Sequence, residues 1–585
     1  MKKTRMSVPA MVATAVAMMA APAANGQTEK TYNESVVVKG AYKPVIEMHE
    51  KLNFPTSITD TFTHAARNFQ YGISPTRLKT LYEPTRIKAA RMVGEPATRL
   101  YNNYIRLGFG NYWSPMGDLY WCSTRDKRKT YGLRLNHASS WGSLTDYGKN
   151  HFGNTAATVF GKYIVGEKLQ LASDLSYEHD HNLYYGFSDS TLGAVFPGWT
   201  RDSIRMADYR ASYNVATWNI GLRNMQLDPN KLGYAANLRV RDMWALWGQN
   251  EFGLTLTGDL HYGFTLANKY KGVAYLRAEW DGFANRLQQG DERPLGYGAA
   301  PAQADTVRTF RNMVKVNPYA DFLLGGFQMH AGLTSAWDAY STDTAIAFRV
   351  FPDVVVSKEL LEGRLSLSAG ATGGLEANTW NSARVVNPYL APGAEQRATS
   401  HYDFSGNARW NISRKLEARA EVGYSLLRDD LSFMLDTLYK LGNVYKPDYV
   451  DYNRFSAGAM VAFVNDEMLT LQAGGHVYSY SLQGEDTVLR YRPKWDVAAS
   501  AEVNYHDKWL FHLTGQLIGS MEGDGGKQLP MRYGIAAEVE YRHNRALSFF
   551  LKMDNLAFQR YYPWSHYPSQ RGLFMLGLTY TVPNK

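Results

Sequence analysis

The sequence predicts an all-β chain, a transmembrane antiparallel barrel of about 22 strands behind a short N-terminal segment. Three observations carry this. The first is strict period-two alternation that recurs to the C-terminus. From Leu416 to Leu426, Leu416, Ala418, Ala420, Val422, Tyr424 and Leu426 share one face of a strand, and Glu417, Arg419, Glu421, Gly423 and Ser425 share the other. The second is composition. Aromatic residues make up 14% of the chain, with 40 Tyr and 14 Trp, yet mean hydropathy is only −0.37. An apolar outer wall over a polar interior, edged by aromatic girdles, has this balance. The third is that no segment after the N-terminal leader has the run of ~18 apolar residues that a membrane helix needs.

Residues 1–26 read as a secretory signal. Lys2, Lys3 and Arg5 form a positive start, Val8 to Met19 an apolar stretch, and Ala24 and Gly26 the small residues before a cleavage point at Gln27. Pro9 and Pro22 bracket a run shorter than the ~20 residues of a spanning helix. The chain is therefore expected to be exported, with the cell outer membrane as its destination and lipid as its surroundings. The formal charge of +9 includes the three cations of the leader. The remaining excess is small for this length and does not indicate nucleic-acid binding. Cys122 is the single cysteine, which excludes an intrachain disulfide and a Cys-based metal site.

Residues 27–99 differ from the rest of the chain. They hold Pro44, Pro55, Pro75, Pro84 and Pro96 and one good strand candidate, Ser35 to Lys39. The segment is expected to lie in the periplasm or in the barrel lumen, where Arg86, Lys88, Arg91 and Arg99 could face acidic residues.

The barrel occupies 100–585. Alternation and turn residues place strands first at 100–112, 118–126, 130–141, 152–164, 168–180, 203–222 and 232–244. The central set is 249–265, 271–288, 305–322, 325–339, 343–357, 363–378 and 400–412. The last set is 416–429, 452–464, 468–482, 491–505, 508–521, 530–542, 545–556 and 570–582. In 491–505, Trp495, Val497, Ala499, Ala501, Val503 and Tyr505 alternate with Asp496, Ser500, Glu502 and Asn504. In 530–542, Tyr533, Ile535, Ala537, Val539 and Tyr541 alternate with Arg532, Glu538, Glu540 and Arg542. A charge on the lipid face costs ~2–4 kcal/mol at the midplane, which is why charges keep to one parity. Connections alternate in length. Val165–Glu167, Ser413–Lys415, Asn465–Glu467, Tyr505–Asp507 and Arg542–Asn544 are tight, whereas 181–202, 289–304, 379–399, 429–451 and 557–569 are long. A 22-stranded barrel is wide enough to need an obstruction, from the N-terminal segment, the loops or a partner.

Two places resemble the TonB-dependent receptors. The strand from Leu547 to Phe558 carries Asn555-Leu556 and is followed by Tyr567-Pro568, Arg571-Gly572 and a last strand to Tyr580, similar to that family's closing hairpin. Glu34, Ser35, Val36, Val37 and Val38, continuing to Lys39-Gly40, resemble the short motif through which such receptors pair with TonB. Tyr42, Pro44, Leu52, Asn53, Pro55 and Gly94-Glu95-Pro96 resemble a group of the Bacteroidota that lacks a full plug domain, and residues 27–99 are shorter than a complete receptor plug.

No P-loop, HExxH or GxSxG pattern is present, so no enzyme activity and no cofactor are expected. His179, Asp180 and His181 could touch a metal, but a solvated strand end is the better reading. Glu522 to Gly526, EGDGG, reads as a Gly-rich loop tip rather than a calcium loop. The resemblance implies solute passage across the outer membrane. The alternative is an accessory subunit of an outer-membrane assembly or export complex, with a periplasmic or outer-membrane partner protein. Glu417, Arg419, Glu421, Glu502, Glu538, Glu540 and Arg542 are the candidate lumen-facing residues.

Overall fold

The computed structural model describes residues 103–582 apart from short segments at 124–125, 127, 167, 226–229, 267–269, 288–306, 342–344, 394–395, 466–467 and 485–487. The leader 1–26, the segment 27–99 and the motif Glu34–Val38 lie outside the described residues.

Twenty-two strands form one closed antiparallel sheet. In chain order they begin with β1 (Asn103–Gly110), β2 (Ser114–Cys122), β3 (Lys129–Ser140), β4 (Phe152–Val165), β5 (Leu169–Leu183), β6 (Arg210–Asn224) and β7 (Gly233–Ala245). The wall continues with β8 (Gln249–Leu266), β9 (Tyr270–Leu287), β10 (Val307–Leu324), β11 (Phe327–Tyr340), β12 (Ala347–Leu360), β13 (Leu365–Ala377) and β14 (Ala398–Asn411). It is completed by β15 (Leu416–Leu435), β16 (Tyr445–Asn465), β17 (Leu469–Leu482), β18 (Trp495–Tyr505), β19 (Trp509–Ile518), β20 (Arg532–Arg542), β21 (Leu547–Asp554) and β22 (Leu573–Val582). Each strand pairs with its sequence neighbours. The ring closes where β22 pairs with β1, Leu578 opposite Leu107 and Thr579 opposite Arg106. Closure is what lipid demands, because an edge in hydrocarbon would leave backbone N–H and C=O groups without partners.

The alternation read from the sequence separates two environments. Val422 and Tyr424 of β15 are exposed, as are Val497 of β18, Leu513 of β19 and Ile535 of β20. The intervening positions of these strands carry the charges. One end of the barrel has tight connections. Gly325 and Gly326 join β10 to β11 with both residues at positive φ, the backbone of a two-residue turn whose twist matches the strands. The other end carries the long connections 184–209, 378–397, 436–444, 483–494, 519–531 and 555–572. The length rhythm is looser than expected, since 111–113 and 246–248 at that end are also short.

Three expected boundaries are corrected. The predicted strand 203–222 starts at Arg210, because residues 201–203 and 206–209 coil into 3₁₀ turns. The predicted strand 118–126 is Ser114–Cys122. The predicted loop 429–451 is only 436–444, since β15 and β16 run for 20 and 21 residues. A β-bulge hides this in the sequence. The register of β15 against β16 shifts between Leu427 and Asp430, with Asp429 at φ 51°. Arg428-Asp429-Asp430 interrupts the alternation there, and the strand resumes beyond it. A spanning strand needs ~9–11 residues, so this hairpin projects well past the lipid at the loop end.

Val422 sits mid-wall on the lipid face. Val422→Arg is expected to destabilise the barrel by about 2–4 kcal/mol. Glu421→Gln, one residue away on the opposite face, is expected to cost under ~1 kcal/mol. Denaturant unfolding in lipid vesicles measures both.

Candidate functional site

The candidate lumen residues all lie on rows opposite the lipid-facing ones, toward the tight-turn end, and all are paired. Glu417 accepts from Arg409 at 2.7 Å and from Arg419 at 2.5 Å. Glu421 lies 3.2 Å from His476, and Glu502 3.2 Å from His512. Glu538 pairs with Arg106 at 2.7 Å, and Glu540 with Arg542 at 3.9 Å. Glu502 and Glu538 share one row through His512, which stands opposite each of them. Glu417, Arg419 and Glu421 stand three strands away on β15. None of the seven belongs to the assembly at the loop end.

That assembly is the most elaborate side-chain arrangement among the described residues. The loops fold inward and bury a common apolar core that includes Tyr184, Phe187, Trp380, Leu390, Tyr439, Tyr491 and Trp564. Their hydroxyls and backbones are sewn together. Tyr184 donates to Leu390 O at 2.7 Å, and Asn443 Nδ2 to Tyr184 O at 2.9 Å. Tyr185 donates to Pro568 O at 2.9 Å and Tyr567 to Asn443 O. The Tyr389 and Tyr567 rings stack. Ala391 N–H donates to Tyr445 O, and Tyr445 N–H to Tyr389 O. Four loops, those following β5, β13, β15 and β21, are joined in this way. Burial pushes the Tyr184, Tyr185, Tyr389 and Tyr567 hydroxyls above the ordinary tyrosine value. It pushes the His566 imidazole down, with Lys527 adding to the effect.

One loop reaches the far wall. The connection after β13 carries a short helix, α1 (Trp380–Val386), capped by the Thr379 side chain on Ser382 N–H. Glu251 of β8, with no exposed surface, accepts from Trp380 N–H at 2.5 Å and pairs with Arg241 at 3.1 Å. At the other end of the helix Arg384, only 5% exposed, pairs with Asp180 of β5 at 2.9 Å. Eight inter-strand steps separate β5 from β13 along the wall, an arc of about 38 Å at ~4.8 Å per step. The loop therefore crosses the barrel mouth as a chord.

Two sequence motifs acquire roles here. His179 and His181 share one face of β5, where His179 bonds Asn214, while Asp180 points the opposite way to Arg384. Alternation alone forbids the three from converging on one ion, and no metal-binding group of three or more His, Cys, Asp or Glu occurs among the described residues. In EGDGG, Asp524 accepts from Leu435 N–H at 3.2 Å and from Tyr491, and its own N–H donates to Ser565. It fastens loops to one another. Sequence reasoning missed Glu251 and Arg384. The Thr379 to Ser382 cap is the only local signal for the helix.

No family model matches the chain, and no curated protein matches it. Solved structures do. The ferric-catecholate import receptor Fiu from Escherichia coli K12, in a closed form, superposes with a TM-score of 0.61 at 12% identity over 82% of each chain. The siderophore receptor PirA from Acinetobacter baumannii gives 0.61 at 10% identity, over 83% of this chain and 81% of its own. The FrpB iron transporter from Neisseria meningitidis gives 0.61 at 10% identity, over 84% and 82%. This chain shares the barrel fold of these three proteins. At such identities the likeness is one of architecture, and the side chains at the loop end are this chain's own.

The loop tyrosines supply a pH test. Their folded-state pKa values lie above the unfolded ~10. The stability they add is thus complete below pH ~10 and is lost as pH rises through the raised folded values. Ultraviolet absorbance titration of the folded protein is expected to show a class of tyrosines that stays protonated past pH ~10 and ionises together with loss of loop protection. Uniform titration near 10 would contradict the burial.

Proposed function

We propose that this protein passes a solute across the outer membrane through a barrel whose external mouth is closed by its own loops. The observation that carries the reading is the chord. A loop rooted on β13 is fastened to β5 and β8 by Arg384–Asp180 and by Glu251. An open 22-stranded lumen would be a hole in the envelope, and barrels of this size are plugged. The superposed structures support the transport class, since they are described as an import receptor, a siderophore receptor and an iron transporter.

The lumen wall below the closure is polar and densely paired, as a water-filled path requires. Glu417, Arg419, Glu421, Glu502, Glu538, Glu540 and Arg542 are proposed to face that path. Residues 34–38 are proposed as a contact for TonB, residues 1–26 as a cleaved signal, and 27–99 as a periplasmic or lumenal segment.

Planar-bilayer recording tests the closure. The intact protein is expected to conduct in rare, small steps. Replacing residues 378–397 by a short Gly-rich turn is expected to give large, long-lived steps. Equal conductance of the two proteins would show that the chord does not close the mouth.

A further inference from the structure

We propose that α1 is a strap held shut by two carboxylates of the wall, Asp180 paired with Arg384 and Glu251 accepting from the first N–H groups of the helix, and that these contacts, more than the apolar packing around them, decide whether the external mouth is closed. The inference rests on the closed-mouth reading above and assigns its control to specific residues.

Both ends of the strap are charge-tied to the same stretch of wall. At its start, Glu251 accepts from Trp380 N–H at 2.5 Å and from Asn381 N–H at 3.4 Å. Arg241 meets Glu251 at 3.1 Å and Thr379 Oγ1 at 3.3 Å. At its end, Arg384 donates to Asp180 at 2.9 Å and, through Nε, to Asn381 Oδ1 at 3.0 Å, with its guanidinium over the Tyr213 ring. Asn154 also donates to Asp180. A loop resting on the rim by apolar contact alone would need none of these charges. Arg384 is buried and Asp180 partly so, and removing the carboxylate leaves the guanidinium without its charge partner, which is costlier than losing an exposed pair. The stem of the loop is fastened separately. Asn378 N–H and Nδ2 donate to Arg397 O at 3.3 and 2.9 Å, and Nδ2 to Thr399 at 2.8 Å. The root on β13 and β14 is thus held independently of the contacts to the far wall.

The test reads the mouth directly. In full-length protein carrying Cys122→Ser, a reporter Arg277→Cys is placed on the interior face of β9, and a PEG-maleimide too bulky for the closed mouth is added to intact cells. Asp180→Asn and Glu251→Gln, each alone, are expected to raise the labelling rate about tenfold or more, the equivalent of ~1.4 kcal/mol. Exchanging the charges in one chain, Asp180→Arg with Arg384→Asp, is expected to bring labelling back toward the parent rate. Heat-modifiable gel migration verifies that each barrel is folded, and only folded variants are scored. No rise in any folded single variant would overturn the proposal, as would a rise in Asp180→Asn that the charge exchange fails to reverse. Solute passage does not enter this readout. A protein silent in bilayers would count against the transport reading and leave the strap standing.

Discussion

A backbone in hydrocarbon has no water to bond, and everything else in this molecule depends on that constraint. It forces the sheet to close, so that β22 pairs with β1. It forces the outer row to be apolar and sends the charges inward. With 22 strands the same requirement creates a wide interior. The wall that solves the backbone problem thus creates a second one, a mouth that must be obstructed.

The loops answer the second problem with different chemistry. Along the wall, one face meets lipid and one meets water, and alternate residues serve each. At the loop end the same chain must pack against itself from several directions. It does so with tyrosine and tryptophan, which bring large apolar area and a polar tip that finds a partner when buried. Tyr184, Tyr185 and Tyr567 each direct a hydroxyl to a backbone carbonyl of another loop. The fastening to the wall uses carboxylates instead, Asp180 paired with Arg384 and Glu251 accepting from Trp380 N–H. Apolar packing joins the loops, and two wall carboxylates tie the strap to β5 and β8.

The wall is readable in the sequence because lipid imposes its rule one residue at a time. Leu416 to Leu426 shows the rule without any knowledge of neighbouring strands, and the number of strands comes from counting such stretches. Reading fails where the rule is suspended. The bulge at Leu427–Asp430 breaks the parity, so β15 extends to Leu435 where a loop is expected. The loop assembly joins residues as distant as Tyr184, Leu390 and Tyr567, and no local period links them. Asp180 illustrates the limit. It stands out for its histidine neighbours, although its parity already sets it on the opposite face, and its charge partner Arg384 lies 204 residues away. Parity alone selects the seven candidate lumen residues. It places them on the wall and says nothing of the mouth above them.

One loop spans the mouth and is held on the far wall, and a distance measurement across that contact tests this. Spin labels on Val385 of the strap and on Ser190 of the loop that follows β5 can be measured by double electron–electron resonance in lipid nanodiscs. A single narrow distance distribution is expected in the ligand-free protein. A broad distribution, or one dominated by separations spanning the barrel diameter, would contradict a strap fastened to β5 and β8.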